Sequence, residues 1–269
     1  MNYIEQGSLR DQLKEISTST WDKKLNCLYE VSCGLVNIHE MNIVHQDFHS
    51  GNILNGNCKY NPTISPLIAD LGLARPSFQS NFDKDVIYGV LPYVAPEVLR
   101  SKPYTKAADI YSFGIIMTEI STGISPFHDR PHDRNLAAEI CGGLRPEFVR
   151  GTPQIYIDLV RQCTNADESK RPTAIEIREI LEVWIYNEEF IKLFKEADKN
   201  MSISKSTIAT INSEAYFTSR ILKYSDLPKP MNSVEIRPFK KNNYVTTQVS
   251  LHLPNYDELS IDEDDNQEN

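Results

Sequence analysis

The stretch HQDFHSGNIL, residues 45–54, decides how this chain is read. Two histidines, an aspartate, a glycine and an asparagine crowd into ten positions and run straight into Ile53-Leu54. Alone, the segment reads either as a catalytic loop or as a turn that happens to be polar, so its neighbours must decide. Upstream, Leu25, Leu28, Val31, Leu35 and Ile38 recur at steps of three and four, which predicts a helix over 22–41 with one buried face. Asn42 breaks that pattern. Downstream, residues 53–69 read as β-like, punctuated by Asn55-Gly56, Asn61-Pro62 and Ser65-Pro66. Residues 70–97 have no helical period, and a loop of that length inside a domain tends to be functional.

A second helix is predicted from Thr105 to Thr122, where Ile110, Phe113, Gly114, Ile115, Ile116 and Met117 make it apolar nearly all round. Such a helix belongs at the centre of a domain. Gly123 and Pro126 end it. Amphipathic helices follow near 133–141, 154–163 and 172–186, the last opened by Pro172. Residues 187–198 fit one more helix. Past 200 the chain is polar and reads as largely disordered, so 187–269 is expected to be mostly a disordered tail.

The 269 residues carry a net charge of −9, and seven acids with no lysine or arginine lie from Leu251 onward. Without that acidic end the charge is about −2, so no basic stripe points to nucleic acid. No apolar run is long enough for a membrane span, and the N-terminus lacks the basic and apolar pattern of a signal peptide. Five cysteines without a CxxC pair read as reduced thiols in the cytoplasm or nucleus.

The opening stretch also belongs to a longer constellation. His45-x-Asp47 is followed five residues later by Asn52, and Asp70-Leu71-Gly72 begins 18 residues beyond Asn52. Glu97 of Ala95-Pro96-Glu97 lies 27 residues past Asp70, Asp109 stands 12 further on, and Arg171 comes near the end. H-x-D alone is common; all of these in this order are specific. The chain resembles the eukaryotic protein kinases over residues 1–186, in their larger C-terminal lobe. The resemblance implies a mainly α fold with a small β-hairpin carrying the catalytic loop. It implies transfer of the ATP γ-phosphate to a protein hydroxyl, with ATP and Mg²⁺ as cofactors. Asp47 corresponds to the catalytic base, Asn52 and Asp70 to the metal ligands. Ile4 and Leu54 correspond to residues at the adenine. His45 and Leu71 resemble residues packed in the internal spine, Glu97 and Arg171 a buried ion pair, and Asp109 the aspartate that holds the catalytic-loop backbone.

Several positions depart from the family pattern. Gln46 replaces the usual arginine that grips an activation-segment phosphate, which implies activity without that phosphorylation. Ser77, Ser80 and Tyr88 are loop hydroxyls open to modification. His49 stands where serine/threonine kinases carry lysine, and Val90 where they carry threonine. Tyr93-Val94-Ala95-Pro96-Glu97 favours serine/threonine over tyrosine specificity. No Gly-rich loop, Val-Ala-x-Lys strand or αC glutamate occurs; MNYIEQGSLRDQL resembles the hinge, with Met1 near the gatekeeper. The resemblance therefore implies that the N-terminal lobe is absent and that this chain alone is weak or inactive. Either a kinase chain has been cut at an internal methionine, or a short product acts as a kinase-like binding or scaffold module. The intact Asp47, Asn52 and Asp70 fit the first. SEAYFTSRILKYSDLPKP (213–230) resembles segments that follow kinase domains in an expansion of kinases in arbuscular mycorrhizal fungi. Oligomeric state, substrate identity and upstream regulator are not legible.

Overall fold

A computed structural model describes residues 7–58, 61–77, 87–200 and 210–233. The chain divides into two units, Met1–Phe239 and Lys240–Asn269, and all described residues lie in the first. The order is α1 (Leu13–Thr18), α2 (Trp21–Glu40), β1 (Ile43–Val44), β2 (Ile53–Cys58), β3 (Asn61–Ile68), β4 (Arg75–Pro76), β5 (Ile87–Gly89), α3 (Pro96–Leu99), α4 (Lys106–Thr122), α5 (Arg134–Cys141), α6 (Gln154–Cys163), α7 (Ala174–Tyr186), α8 (Glu188–Asn200) and β6 (Arg220–Leu222). Helices form the body, and the strands make three two-stranded antiparallel sheets at its rim.

α4 is the central helix, as its apolar sequence predicts. Fourteen consecutive residues from Ala108 to Ser121 are buried, so no face is left for solvent. Gly114 permits the close approach of α6, because a Cβ there would stand 2.7 Å from Cγ2 of Thr164 and 2.8 Å from Cβ of Cys163. α4 ends where Gly123 adopts φ 74°, the left-handed conformation that glycine takes without a Cβ penalty. α2 packs Leu28, Val31 and Leu35 inward and lies against α7 and α8.

α7 starts two residues later than Pro172 suggests. Thr173 is its N-cap: its hydroxyl accepts from the Glu176 amide while the Glu176 carboxylate reaches back. That capping box satisfies two end groups that proline could not.

The helix read over 187–198 is present as α8, which buries Phe190 and Phe194. Phe194 sits 5.6 Å from the Trp21 ring and 5.5 Å from Trp184, and Asp198 accepts from the Trp21 backbone amide at 2.9 Å. The expectation of a disordered tail needs correction over residues 210–233. They run along the domain with backbone hydrogen bonds to it, including the Met231 amide to the Cys141 carbonyl at 2.9 Å, and bury Leu222 and Leu227. Composition misses this because the apolar residues of the segment follow no helical or strand period and it is held mainly through its main chain. The acidic end lies outside the described residues.

Candidate active site

The 45–52 loop is fixed from below by Asp109, near the start of α4. Its Oδ2 accepts from the His45 amide at 2.8 Å and its Oδ1 from the Gln46 amide at 3.1 Å. His39 Nε2 adds a third contact at 3.0 Å. These bonds hold Gln46 at φ 71°, a conformation costly for a non-glycine residue and kept only where surroundings enforce it. His45 is fully buried; its Nε2 faces the Ala69 carbonyl at 3.0 Å and its Nδ1 accepts from the Asp47 amide at 3.3 Å. One tautomer, with the proton on Nε2, satisfies both. That ring ties the loop to the residue just before Asp70.

Asp47 emerges from this frame with 6% of its surface exposed. Asn52 donates its side-chain amide to the Asp47 carbonyl at 2.9 Å and to Oδ2 at 3.3 Å. The Ser219 hydroxyl donates to the same Oδ2 at 2.5 Å. Oδ1 has no hydrogen-bond partner, and His49 Nε2 is 3.6 Å away. Burial pushes the carboxyl upward, but the contacts from His49 and Ser219 outweigh it, and the net displacement is below the ordinary carboxylate value. Asp47 is therefore an acceptor at working pH.

Asn52 closes a 3-10 turn and leads into β2, which pairs with β3 in the register Ile53↔Ile68 and Leu54↔Leu67. β3 delivers Asp70, whose φ of 57° turns the chain so that its Oδ1 accepts from the Gly72 amide at 3.3 Å. Asp47, Asn52 and Asp70 thus line one open cleft of about 610 Å³ with His49, Arg10 and Ser219. The Asn52 side-chain carbonyl and the Asp70 carboxylate are both hard oxygen donors lining this cleft, the kind of donor that suits a cation taking its remaining ligands from phosphate and water.

The other expected residues fall at several depths. Glu97 and Arg171 form a buried bidentate pair, both bonds 2.7 Å, their side chains 2% and 0% exposed. Leu54 is partly buried on β2 and bridges to Ser8. Ile4, Met1 and Ser80 lie outside the described residues. Leu71 departs from expectation: it is 50% exposed rather than packed in a core. The 3-10 turn Leu71–Leu73 that Asp70 caps lies at the open rim of the cleft, so its first side chain points outward.

Three contributors escaped the sequence reading. Glu119 lies under the loop and accepts from the Tyr93 hydroxyl at 2.6 Å and the Ser50 hydroxyl at 3.1 Å, all on Oε1. Burial pushes its carboxyl up to about 7, against the lowering effect of Tyr93 and Arg10. A second carboxylate inside the apolar helix that carries Asp109 was its signal. Arg10 reaches His49 Nδ1 at 3.2 Å and Ser50 Oγ at 3.3 Å. Ser219 comes from the segment read as disordered. No local pattern marks either of these two.

The sequence profile of the protein kinase domain matches residues 1–184, and the chain belongs to the protein kinase family. Its relatives include the probable serine/threonine-protein kinase roco5 of Dictyostelium discoideum, 34% identical over 189 residues, which cover 66% of this chain and 7% of that protein. The serine/threonine/tyrosine-protein kinase HT1 of Arabidopsis thaliana is 27% identical over 234 residues, 86% of this chain and 58% of that protein. The human dual specificity testis-specific protein kinase 2 is 31% identical over 188 residues, 67% of this chain and 31% of that protein. The chain spans less than two thirds of each of these relatives.

Proposed function

We propose that this chain supplies the lower wall of a protein kinase active site, which transfers the γ-phosphate of ATP to a serine or threonine hydroxyl. The observation that carries the reading is the Asp47 carboxylate, clamped by Asn52 in the cleft that Asn52 and Asp70 share. Asp47 orients an acceptor hydroxyl and takes its proton. Asn52 and Asp70 hold Mg²⁺, which neutralises phosphate charge when bound. Asp109 and His45 keep the loop in the strained form that aims Asp47. Serine/threonine kinases predominate among the names of the relatives, beside HT1, whose name adds tyrosine, and a dual specificity kinase.

The experiment is a radiometric assay of the 269-residue chain against its Asp47→Asn variant, with a generic protein substrate and Mg²⁺-ATP. Incorporation above the variant supports the enzyme reading for this chain. Equal incorporation, with both proteins folded by circular dichroism, overturns it in favour of a kinase-like binding module.

A further inference from the structure

We propose that residues Tyr216–Leu222 are a built-in acceptor peptide: they lie in the groove that an acceptor segment occupies, and Ser219 is the hydroxyl presented to Asp47. The inference rests on the kinase reading and adds to it the acceptor site and the kind of segment the groove takes.

A buried carboxylate can be satisfied by any nearby hydroxyl, so the contact between Ser219 and Asp47 is not enough by itself. The main chain around it carries the argument. β6 pairs antiparallel with β5 in the register Ile87↔Leu222, Tyr88↔Ile221 and Gly89↔Arg220. This places Ser219 one step past Gly89, beside the loop that carries Asp47. Gly89 keeps β5 close to the catalytic loop: its φ is 152°, and a Cβ there would stand 3.0 Å from Val94 Cγ2 and 3.8 Å from Asp47 Oδ1. On the other side of Ser219, Arg10 donates to the Phe217 carbonyl at 2.5 Å and His132 Nδ1 bonds the Tyr216 carbonyl at 2.9 Å. The segment is therefore gripped through its backbone both before and after the serine, as an extended peptide of variable sequence would be.

The polar atoms at the serine suit an acceptor. Arg10 offers only donors, so the His49 Nδ1 it touches is an acceptor and the ring carries its proton on Nε2. That Nε2–H lies 3.3 Å from Ser219 Oγ, whose own proton goes to Asp47. The hydroxyl is thus oriented by two partners, and Arg10 brings a positive charge next to His49, where the family usually places lysine.

With a nucleoside triphosphate bound, Ser219 Oγ forms a bond to the γ-phosphorus while the bond from that phosphorus to the bridging oxygen breaks. Nucleoside diphosphate leaves with the bridging electron pair, and the serine proton passes to Asp47. The phosphoserine then carries negative charge beside the Asp47 carboxylate, which favours release of the segment. The side chains define the class of external acceptor. Phe217, two before the serine, lies under the Arg10 guanidinium at 5.6 Å and against His132 at 4.9 Å. Leu222, three after it, is 2% exposed. The groove takes an extended segment with an aromatic residue at the first position and an aliphatic one at the second.

The test uses the full 269-residue chain in two arms. In the first, the chain is incubated with Mg²⁺-ATP and an added protein, and sites are mapped by mass spectrometry. Phosphate on Ser219, at a rate per molecule independent of chain concentration and absent from Asp47→Asn, is expected. Phosphate on the added protein while Ser219 stays bare defeats the acceptor role and leaves the kinase reading intact. Incorporation nowhere defeats the kinase reading for this chain and the acceptor role with it. The second arm needs no catalysis. A labelled peptide of residues 213–226 is titrated by fluorescence anisotropy into the wild type, into Leu222→Asp and into Ser219→Asp, which loosen the segment from opposite sides of the pairing. Binding at least ten-fold tighter to both variants is expected; equal binding to all three refutes occupancy of the groove.

Discussion

Removal of the Arg171 guanidinium should destabilise the domain more than any surface change. Arg171 makes two 2.7 Å bonds to the Glu97 carboxylate, donates to the carbonyls of Ala107 and Asn165 at 2.8 Å each, and lies 5.3 Å from the Tyr111 ring centre. Arg171→Met fills part of the volume but strands Glu97 in the core, at a cost of about 3–5 kcal/mol for a broken buried pair. Each carbonyl left without its donor adds roughly 1 kcal/mol or more. Against a total stability of about 5–15 kcal/mol, the variant stays folded only if the wild type is near the upper part of that range. With a urea slope of about 2–3 kcal/mol/M, a loss near 6 kcal/mol moves the midpoint down by about 2–3 M. The assay is equilibrium urea unfolding of wild type, Arg171→Met, Glu97→Gln and the double variant. The double variant should lose less than the two singles together, because no charge is left unpaired in it. A midpoint shift under about 0.3 M for Arg171→Met, or strict additivity, refutes the account.

Glu119 predicts a pH dependence. Its carboxyl is held up to about 7 in the fold and returns to its ordinary 4.5 when unfolded. Its contribution is therefore complete below the lower value and lost as pH rises through the upper one, by roughly 3 kcal/mol in all. Urea midpoints at about pH 5 and about pH 8 should differ more for the wild type than for Glu119→Gln, and parallel profiles would reject the assignment. Asp109→Ala removes the acceptor for two loop amides and frees Gln46 from its left-handed conformation. Phosphotransfer should fall to the Asp47→Asn level, with a stability loss of roughly 2–5 kcal/mol, read by assay and thermal melt. Gly114→Ala forces a methyl into Thr164 and Cys163 and should lower Tm by about 2–10 °C in scanning calorimetry; an unchanged Tm would show that α4 and α6 can separate without cost.

The sequence by itself determined most of the helices and the loop that matters, though not α3, which begins inside the stretch read as a loop. α4 was legible because a segment that is apolar on every side has nowhere to go but the centre, and α2 because its apolar residues repeat at helical steps. Asp47, Asn52, Asp70, Glu97, Asp109 and Arg171 were legible because their order and spacing are rigidly patterned. Pro172 misplaced one boundary, since the capping reach from Thr173 to Glu176 is a side-chain geometry that composition only hints at. What the tertiary structure alone decided is how residues distant in sequence meet. Leu71 looked like a core residue by pattern, yet the turn that carries it opens to the rim. Ser219 reaches Asp47 across 172 positions of sequence, and Arg10 reaches Phe217 across 207. Residues 210–233 carry neither period nor hydrophobic stripe, because their attachment is made by backbone groups, which every residue type carries alike. A linear reading has no term for such bonds; only the fold brings their partners within reach.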